Sequence, residues 1–312
     1  MLKVALIGFG YWGSKLARNF HNSEYFSLSS VADKNPKNLS LAKKNYPLIE
    51  GFLNYKDAVK KNNIDLVIIS SPTISHFKIA EFSLKNSKHV LVEKPLSLSL
   101  IDVKKLNKLS KEKNKMIFVD YPFLFSGTIK FIKRIIEKKT FGKVLEIESF
   151  REQAPVRKDA NVIWDLGTHD VSILTYLLKK NPYQIKTTKM KSINGSLYDC
   201  AYINLKYDNN INVLIKNSWI SPTKIRLIKI KFAKAIIYCD ENEPLYKIKI
   251  YRKNKNQLKY NLEIPEIDLE EPLSKLAKYI YKSIKFGKNK LFENNLNINI
   301  TNLLEKINKS ND

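Results

Sequence analysis

The sequence predicts two domains: an α/β domain with a doubly wound parallel sheet over residues 1–121, and an α+β domain over residues 122–312. In the first part, apolar strand-like runs alternate with helical segments, an order that is typical of βαβ units and a parallel sheet. In the second part, lysine alternates with apolar residues over stretches such as "KIKIY" and "IRLIKIKF". A period of two indicates a sheet with one solvated face, so we expect an open, largely antiparallel sheet there.

The elements of the first domain follow one another in a regular order. The predicted strands lie at residues 3–8, 26–33, 64–72, 88–95 and 116–121, and the first of them is a continuous apolar run that ends in glycine. The predicted helices lie between them, at residues 12–21, 35–46, 55–62, 75–86 and 99–114. Pro36 supports the start of the second helix, because a missing N–H is tolerated in the first helical turn. Apolar runs without alternation indicate strands that are buried on both faces.

The second domain begins with a predicted helix at residues 128–139 and a predicted strand at residues 143–153. A further helix is expected over residues 164–180, with an apolar face that contains Leu166, Val171, Leu174 and Leu178. Residues 183–262 are expected to be almost entirely β-structure. Two closing helices are expected at residues 271–287 and 297–310.

The formal net charge of +25 comes almost entirely from lysine, which is spread along the whole chain. A polyanion partner would account for this charge, but specific recognition of bases and phosphates favours arginine, of which there are six. Lysine, asparagine and isoleucine all have A/T-rich codons, so genome composition is a sufficient cause. We therefore expect a solvated lysine coat and no nucleic-acid or membrane partner.

The remaining bulk properties indicate a cytoplasmic protein. No apolar run approaches the roughly 18 residues of a membrane helix, and Gly8 interrupts the first apolar run too early for a signal peptide. Cys200 and Cys239 are too few and too far apart for a zinc site or a disulfide framework, so no metal is expected.

The first predicted strand ends at Gly8, which begins the sequence "GFGYWG" (residues 8–13). This G-x-G-x-x-G sequence leads into the first predicted helix. In this context Gly8 permits a tight turn, Gly10 lets a pyrophosphate approach the backbone, and Gly13 lets the helix pack on the strand. Asp33 ends the second strand about 20 residues later. A carboxylate there accepts hydrogen bonds from ribose hydroxyls and repels a 2′-phosphate, which favours NAD over NADP. The alternative is a turn without a ligand and an aspartate that caps the next helix.

Polar residues also follow the later strands of the first domain, at the edge of the sheet where ligands bind. His76 is expected to contact the cofactor or, as the alternative, to face solvent at the start of a helix. Glu93 and Lys94 follow an apolar strand, and their alternative is a surface ion pair. The residues expected to contact the cofactor are Gly8, Gly10, Tyr11, Trp12, Gly13, Asp33, Ser70, Pro72, Thr73, His76 and Glu93.

The segment "WDLGTHD" places titratable groups within an otherwise core-type helix. Asp165 and His169 are four residues apart and share one face of an α-helix. His169 has an ordinary pKa near 6.5, so it is suited to exchange a proton, and Asp165 could orient the ring or bind a substrate hydroxyl. The alternative is an aspartate N-cap and a core histidine that is hydrogen-bonded to it.

Several motifs in the same order resemble the Gfo/Idh/MocA family of oxidoreductases over essentially the whole chain. They are "LIGFGYWG", "VIISSPTISHFKIA", "KHVLVEKPLS", "WDLGTHD" and "EPLSKLAKYIYKSI". The resemblance implies a Rossmann domain followed by a domain whose open sheet often forms oligomer contacts, so a homodimer or homotetramer is expected. It also implies hydride transfer between nicotinamide and a sugar or polyol carbon. In that reaction Lys94 hydrogen-bonds the reacting hydroxyl, His169 exchanges its proton and Asp165 helps to hold substrate.

Within the family, "GYWG" and "NVIWDLGTHDVSIL" resemble the branch of UDP-N-acetylglucosamine and UDP-2-acetamido-glucuronate 3-dehydrogenases, which serves surface-polysaccharide synthesis. This resemblance makes Arg151, Arg157 and Asn161 candidates for substrate binding; the alternative for the arginines is a solvated strand edge. The chain departs from the branch at "DYPFLFSGT" (residues 120–128), where relatives tend to have "GHTFLYNP". A free sugar or polyol such as inositol is therefore an alternative substrate, and a non-catalytic NAD-binding regulator is an alternative function.

Overall fold

The computed structural model describes residues 1–192, 197–253, 259–287 and 295–310. The chain forms two compact units, Met1–Pro122 with Glu271–Thr301, and Phe123–Glu270 with Asn302–Asp312. The first change of unit follows Pro122, next to the predicted domain boundary at residues 121–122. The sequence predicts a second domain over residues 122–312, whereas Glu271–Thr301 belongs to the first unit.

The first unit contains a six-stranded sheet in which every neighbouring pair is parallel. Its strands are β1 (Leu2–Ile7), β2 (Phe26–Ala32), β3 (Glu50–Phe52), β4 (Leu66–Ile69), β5 (His89–Glu93) and β6 (Ile117–Asp120). Their order is β3-β2-β1-β4-β5-β6, which confirms the predicted doubly wound sheet. Strand β3 was not predicted, because its three residues are too few to show a strand period.

Helices connect these strands, and side chains cap several of them. They are α1 (Tyr11–His21), α2 (Pro36–Asn45), α3 (Tyr55–Val59), α4 (His76–Lys85) and α5 (Leu100–Glu112). Asn35 caps α2 by accepting from the backbone N–H of Lys37, and Ser99 caps α5 by accepting from that of Asp102. Because parallel strands require such crossovers, each strand ends at the same edge of the sheet.

The second unit contains an eight-stranded sheet. Its strands are β7 (Val144–Glu152), β8 (Gln184–Met190), β9 (Cys200–Tyr207), β10 (Ile211–Ser218), β11 (Ile225–Phe232), β12 (Ala235–Asp240), β13 (Ile248–Lys253) and β14 (Tyr260–Glu263). The order is β14-β13-β12-β11-β7-β10-β9-β8, with all neighbours antiparallel except β7 and β10. The predicted open, largely antiparallel sheet is thus confirmed. Cys200 and Cys239 are free and buried.

Two helices of the second unit are α6 (Gly127–Glu137) and α7 (Thr168–Leu178). The chain then ends with α8 (Pro272–Phe286) and α9 (Leu296–Lys309). Helix α8 packs on α1 within the first unit, where Tyr281 stacks on Tyr25 with ring centroids 4.6 Å apart. Arg18 of α1 also pairs with Glu271 at 2.9 Å. These contacts join residues more than 250 positions apart, so no local sequence pattern could have placed α8 with the first unit.

No helix within the described ranges is both long and apolar enough to span a lipid bilayer.

His89, at the start of β5, gives the fold an expected dependence on pH. Its Nδ1 accepts a hydrogen bond from the backbone N–H of Met116 at 3.1 Å, and burial together with the Lys115 charge lowers its pKa to about 4. As the pH falls from about 6.5 towards 4, His89 therefore binds a proton in the unfolded chain but remains neutral in the folded chain. From this group alone we expect the free energy of unfolding to fall by up to about 2 kcal/mol between about pH 7.5 and about pH 5.

Urea unfolding of the wild type and His89→Asn at these two pH values measures this contribution. Asparagine keeps an acceptor for the Met116 N–H but does not titrate, so the variant should lose less stability in acid. An equal loss in both proteins would show that His89 titrates in the folded chain as it does in the unfolded chain.

Candidate active site

The glycine turn after β1 packs so closely that two of its glycines have no room for a side chain. Gly8 has a φ of +94°, and a Cβ on it would lie 2.5 Å from the carbonyl oxygen of Ser70 at the end of β4. A Cβ on Gly13 would lie 2.1 Å from the carbonyl oxygen of Gly8. These contacts hold the start of α1 against the carboxyl ends of β1 and β4.

Gly10 differs from the other two glycines, because a Cβ on it would meet no atom within 4 Å. It is the N-cap of α1, and no side chain of the described residues caps this helix. The open space therefore adjoins unsatisfied N–H groups at the positive end of the helix, where a phosphate is stabilised. The turn fits the pyrophosphate of a dinucleotide, with Tyr11 and Trp12 in the first helical turn.

The carboxylate of Asp33 is hydrogen-bonded to the backbone of the glycine turn. Its Oδ2 accepts from the backbone N–H of Phe9 at 2.8 Å and from Nδ2 of Asn38 at 3.0 Å, and its Oδ1 accepts from the N–H of Asn35 at 2.8 Å. The cap of α2 is Asn35, so the alternative interpretation of Asp33 as that cap was wrong. These three bonds leave one lone-pair site, on Oδ1, for a ribose hydroxyl, and the charge of the carboxylate disfavours a 2′-phosphate.

The segment after β4 contains an exposed Pro72, a buried Thr73 and a buried His76. The ring of His76 is only 1% exposed, so the alternative interpretation of a solvent-facing histidine was wrong. Its Nδ1 lies 2.8 Å from the carbonyl oxygen of Pro95, and its Nε2 lies 2.8 Å from that of Ser71. His76 therefore joins the segments that follow β4 and β5.

Charged side chains meet at the ends of β5 and β6. Lys94 is 6% exposed and Glu93 is partly buried, so these residues do not form the surface ion pair that was the alternative interpretation. Glu93 lies opposite Asp120 in the sheet register. Asp120 is fully buried, and its Oδ2 accepts from Nε1 of Trp12 at 2.7 Å. Burial raises the pKa of Asp120 to about 6, against the opposing effects of the Trp12 hydrogen bond and the Lys94 charge.

In the second unit, the segment that contains Asp165 is a π-helical turn, Ile163–Gly167, directly before α7. The sequence pattern predicts one continuous α-helix through Asp165 and His169, which the structure does not show. A π-helical turn is wider than an α-helical turn, so a spacing of four residues no longer implies a shared face. Such turns occur frequently at functional sites.

Asn161 supports this turn from its amino end. Its Oδ1 accepts from the backbone N–H groups of Ile163 and Trp164, at 3.1 and 3.2 Å, and its Nδ2 donates to Oδ1 of Asn308 at 2.8 Å. The amide that was expected to bind substrate thus has three partners within the protein.

Asp165 is 8% exposed and accepts from Nε1 of Trp219 at 3.0 Å. Its Oδ1 also lies 3.6 Å from Nη1 of Arg157, whose guanidinium forms two hydrogen bonds of 2.9 Å with Asp159. The flanking caps are Val162 and Gly167, so the alternative of Asp165 as a helix N-cap was wrong. Arg157 offsets much of the negative charge around Asp165.

Asp170, which follows His169, is the centre of a buried polar cluster. Its carboxylate accepts from Ser149 at 2.8 Å, from Nε of Arg151 at 3.1 Å and from Asn217 at 2.7 Å. Arg151 is only 2% exposed, and its guanidinium donates to Asp170. These contacts match neither the predicted role in substrate binding nor the alternative of a solvated strand edge. The ion pair of Arg151 and Asp170 joins α7 to β7, which lies in the middle of the sheet.

Phe123 links this cluster to His169. The guanidinium of Arg151 lies 4.4 Å from the centre of the Phe123 ring, which is a cation–π distance. The rings of Phe123 and His169 meet edge to face, 5.2 Å apart and at 82°. The imidazole is therefore packed against a ring whose own position depends on Arg151.

Within the described residues, no group of three or more His, Cys, Asp or Glu side chains is arranged to hold a metal ion.

Comparison with known families gives two matches in chain order. A model described as "Oxidoreductase family, NAD-binding Rossmann fold" matches residues 2–121, and the "GFO/IDH/MocA C-terminal domain" matches residues 129–241. The chain belongs to the Gfo/Idh/MocA oxidoreductase family. Its first unit is accordingly an NAD-binding Rossmann domain, as the glycine turn and Asp33 predicted.

Similar proteins include two dehydrogenases that act on different substrates. Myo-inositol 2-dehydrogenase from Thermotoga maritima is 27% identical over 70% of this chain and 68% of its own length. UDP-N-acetylglucosamine 3-dehydrogenase from Acidithiobacillus ferrooxidans is 24% identical over 62% of this chain and 59% of its own length. A structure of the latter enzyme superposes with a TM-score of 0.85 over 98% of this chain and 96% of that chain, at 18% identity.

An oxidoreductase from Agrobacterium radiobacter, solved with NAD⁺, L-tartaric acid and magnesium, has a TM-score of 0.84 at 17% identity. The likeness covers 99% of this chain and 96% of that chain. At these identities the solved structures show a shared fold.

In each unit separately, some residues that interact with the candidate residues were not anticipated from the sequence. They are Asp120, Ser149, Asn217, Trp219 and Arg226. Burial and the nearby Arg151 charge lower the pKa of Arg226 to about 10. Gly167 gave the only local signal: a Cβ there would lie 2.9 Å from Oδ1 of Asn217, so a small residue is needed where β10 approaches the π-helical turn.

The contrast between Gly10 and Gly13 gives a test of the cofactor site. We expect Gly13→Ala to destabilise the fold because its Cβ would overlap the carbonyl oxygen of Gly8. We expect Gly10→Ala to retain wild-type thermal stability but to bind NAD at least about tenfold more weakly, because its Cβ would occupy the pyrophosphate space. Thermal melting and calorimetric NAD titration distinguish the two effects. Wild-type NAD affinity in Gly10→Ala would contradict this location of the pyrophosphate.

Proposed function

We propose that this chain is an NAD-dependent dehydrogenase that moves a hydride between nicotinamide and a secondary hydroxyl or keto carbon of a sugar. The observation that carries the proposal is the open space at Gly10 in a turn whose other two glycines have no room for a side chain. The favoured substrate is a nucleotide-linked sugar used in surface-polysaccharide synthesis. A free sugar or polyol such as inositol is the second candidate, since the similar proteins include a myo-inositol 2-dehydrogenase.

The proposed chemistry assigns one task to each of three side chains. An alcohol that loses a hydride must also lose its hydroxyl proton, and bound nicotinamide supplies the hydride acceptor. The ammonium group of Lys94 stabilises negative charge that develops on the substrate oxygen. His169 accepts the hydroxyl proton, and returns it when the reaction runs towards the alcohol. Asp165, held by Trp219, accepts a hydrogen bond from a second substrate hydroxyl.

The arrangement around Arg157 supports an anionic substrate. Arg157 is about one-third exposed, whereas Arg151 is enclosed by Asp170 and Phe123. Arg157 is therefore the better candidate for a substrate carboxylate or diphosphate, although it must share its charge with Asp159 and Asp165. A non-catalytic regulator is less well supported, because it would have no need of Lys94, Asp165 and His169 together.

Substitution of Lys94 and of His169 tests the catalytic assignment. We expect Lys94→Ala and His169→Ala each to lower kcat by roughly 10²–10⁴-fold, the usual contribution of a positioned acid or base, while NAD still binds. Lys88→Ala is the matched control, because Lys88 is also a buried lysine but lies before β5, at the opposite end of that strand. Wild-type turnover in both site variants would disprove the assignment.

A panel of substrates tests the proposed substrate class. Purified protein and NAD are mixed with UDP-2-acetamido-glucuronate, UDP-N-acetylglucosamine, myo-inositol or free sugars, and reduced nicotinamide is followed by absorbance. We expect reduction with a nucleotide sugar, and a loss of apparent substrate affinity in Arg157→Met. Reduction with free polyols alone would replace the nucleotide-sugar proposal by the second candidate. No reduction with any sugar, in protein shown to bind NAD, would contradict both candidates.

Asp33 provides a test of the preference for NAD over NADP. We expect Asp33→Asn to narrow this preference, because the amide keeps an acceptor for the Phe9 N–H but no longer repels a 2′-phosphate. The dissociation constants of both dinucleotides, measured for wild type and variant, give the ratio. An unchanged ratio would show that the Asp33 charge does not discriminate between them.

A further inference from the structure

Asp120 is a buried carboxyl group, and only one of its two oxygens is hydrogen-bonded within the residues that the structure describes. Its Oδ2 accepts from Nε1 of Trp12 at 2.7 Å, whereas its Oδ1 is buried and has no hydrogen-bond partner among the residues that the structure describes. Burial of an incompletely bonded carboxyl group opposes folding. The preceding residues of β6 are all apolar. Packing alone would thus favour an apolar residue at position 120, which indicates that Asp120 has another role.

The contact between Asp120 and Trp12 crosses the ligand-binding edge of the sheet. Trp12 is the second residue of α1, which follows β1 after the glycine turn, while Asp120 is the last residue of β6. The strand order places β4 and β5 between those two strands. To reach Asp120, the indole must extend over the carboxyl ends of β4 and β5. In sheets of this type that edge is where a dinucleotide and its substrate bind.

Asp120 also lies close to the lysine that the proposed function makes catalytic. The Lys94 charge acts on the carboxyl group of Asp120, and Glu93 is the register partner of Asp120 in β5. One carboxyl group therefore connects the glycine turn with the end of the strand that carries Lys94. Because Asp120 is fully buried, it touches no ligand itself and can act only through its neighbours.

We propose that Asp120 is a positioning residue that fixes the Trp12 indole as a wall of the nicotinamide half of the NAD site. The inference rests on the proposed function, because it assumes that nicotinamide binds at this edge of the sheet. The hydrogen bond holds the indole in a single orientation before the cofactor arrives. Cofactor binding then does not have to immobilise a large side chain, and affinity increases by that saved cost.

A double-mutant cycle on NAD affinity tests the inference without any substrate. We expect Asp120→Leu to weaken NAD binding by about three- to tenfold, the cost of immobilising one side chain, when Trp12 is present. In a Trp12→Phe background, Asp120→Leu should have no further effect, because there is no indole N–H for Asp120 to hold. Asp120→Asn should bind NAD like the wild type, since its amide oxygen can still accept from Trp12.

Asp65→Asn is the matched control. Asp65 precedes β4 at the opposite end of the same sheet, where its carboxylate accepts from the backbone N–H of Lys3. This variant should leave NAD affinity unchanged.

Three results would overturn the inference: wild-type affinity in Asp120→Leu, an equal effect of that substitution in both backgrounds, or a loss in Asp120→Asn as large as in Asp120→Leu. Failure of the proposed function looks different, because the wild type itself would then fail to bind NAD or to oxidise a sugar. Thermal melting monitors folding of each variant. If Asp120→Leu does not fold, Trp12→Phe and Asp120→Asn decide the matter, since the first must weaken NAD binding and the second must not.

Discussion

The close approach of the glycine turn to the end of β4 sets the geometry of the NAD-binding unit. Gly8 lies against the carbonyl oxygen of Ser70, and Gly13 lies against that of Gly8, with no room for a side chain at either position. This packing directs the N-terminus of α1 towards the carboxyl edge of the sheet, which leaves the open space at Gly10. Asp33 stabilises the turn through the Phe9 N–H, so the residue that would bind ribose also shapes the pyrophosphate site.

Most of the fold could be predicted because hydrophobic period is a local property. Strand-like runs that alternate with helical segments indicated the parallel sheet, and alternating lysine and apolar residues indicated the second sheet. Strand β3 was not predicted because its three residues show no period. The placement of α8 on α1 was not predicted because it depends on contacts such as Arg18 with Glu271, between distant parts of the chain.

The residues of the candidate site could be predicted where they belong to a sequence motif. They could be predicted less well where their role depends on contacts with residues that are distant in the sequence. The glycines, Asp33 and Lys94 lie at strand ends, as their sequence positions indicated. Asp165 and His169 were identified by resemblance, but the π-helical turn between them changes their relation along the chain. Arg151 and Asn161 were candidates for substrate binding, yet their contacts with Asp170 and Asn308 come from other elements that no spacing rule connects.

Structure determination of the NAD complex is the most direct test of the central claim, that the turn at Gly10 binds the pyrophosphate of the cofactor. We expect the pyrophosphate oxygens to accept hydrogen bonds from backbone N–H groups in the first turn of α1, and the adenosine ribose hydroxyls to donate to Asp33. A dinucleotide whose pyrophosphate lies away from Gly10, or whose ribose makes no contact with Asp33, would contradict the assigned site and the function that depends on it.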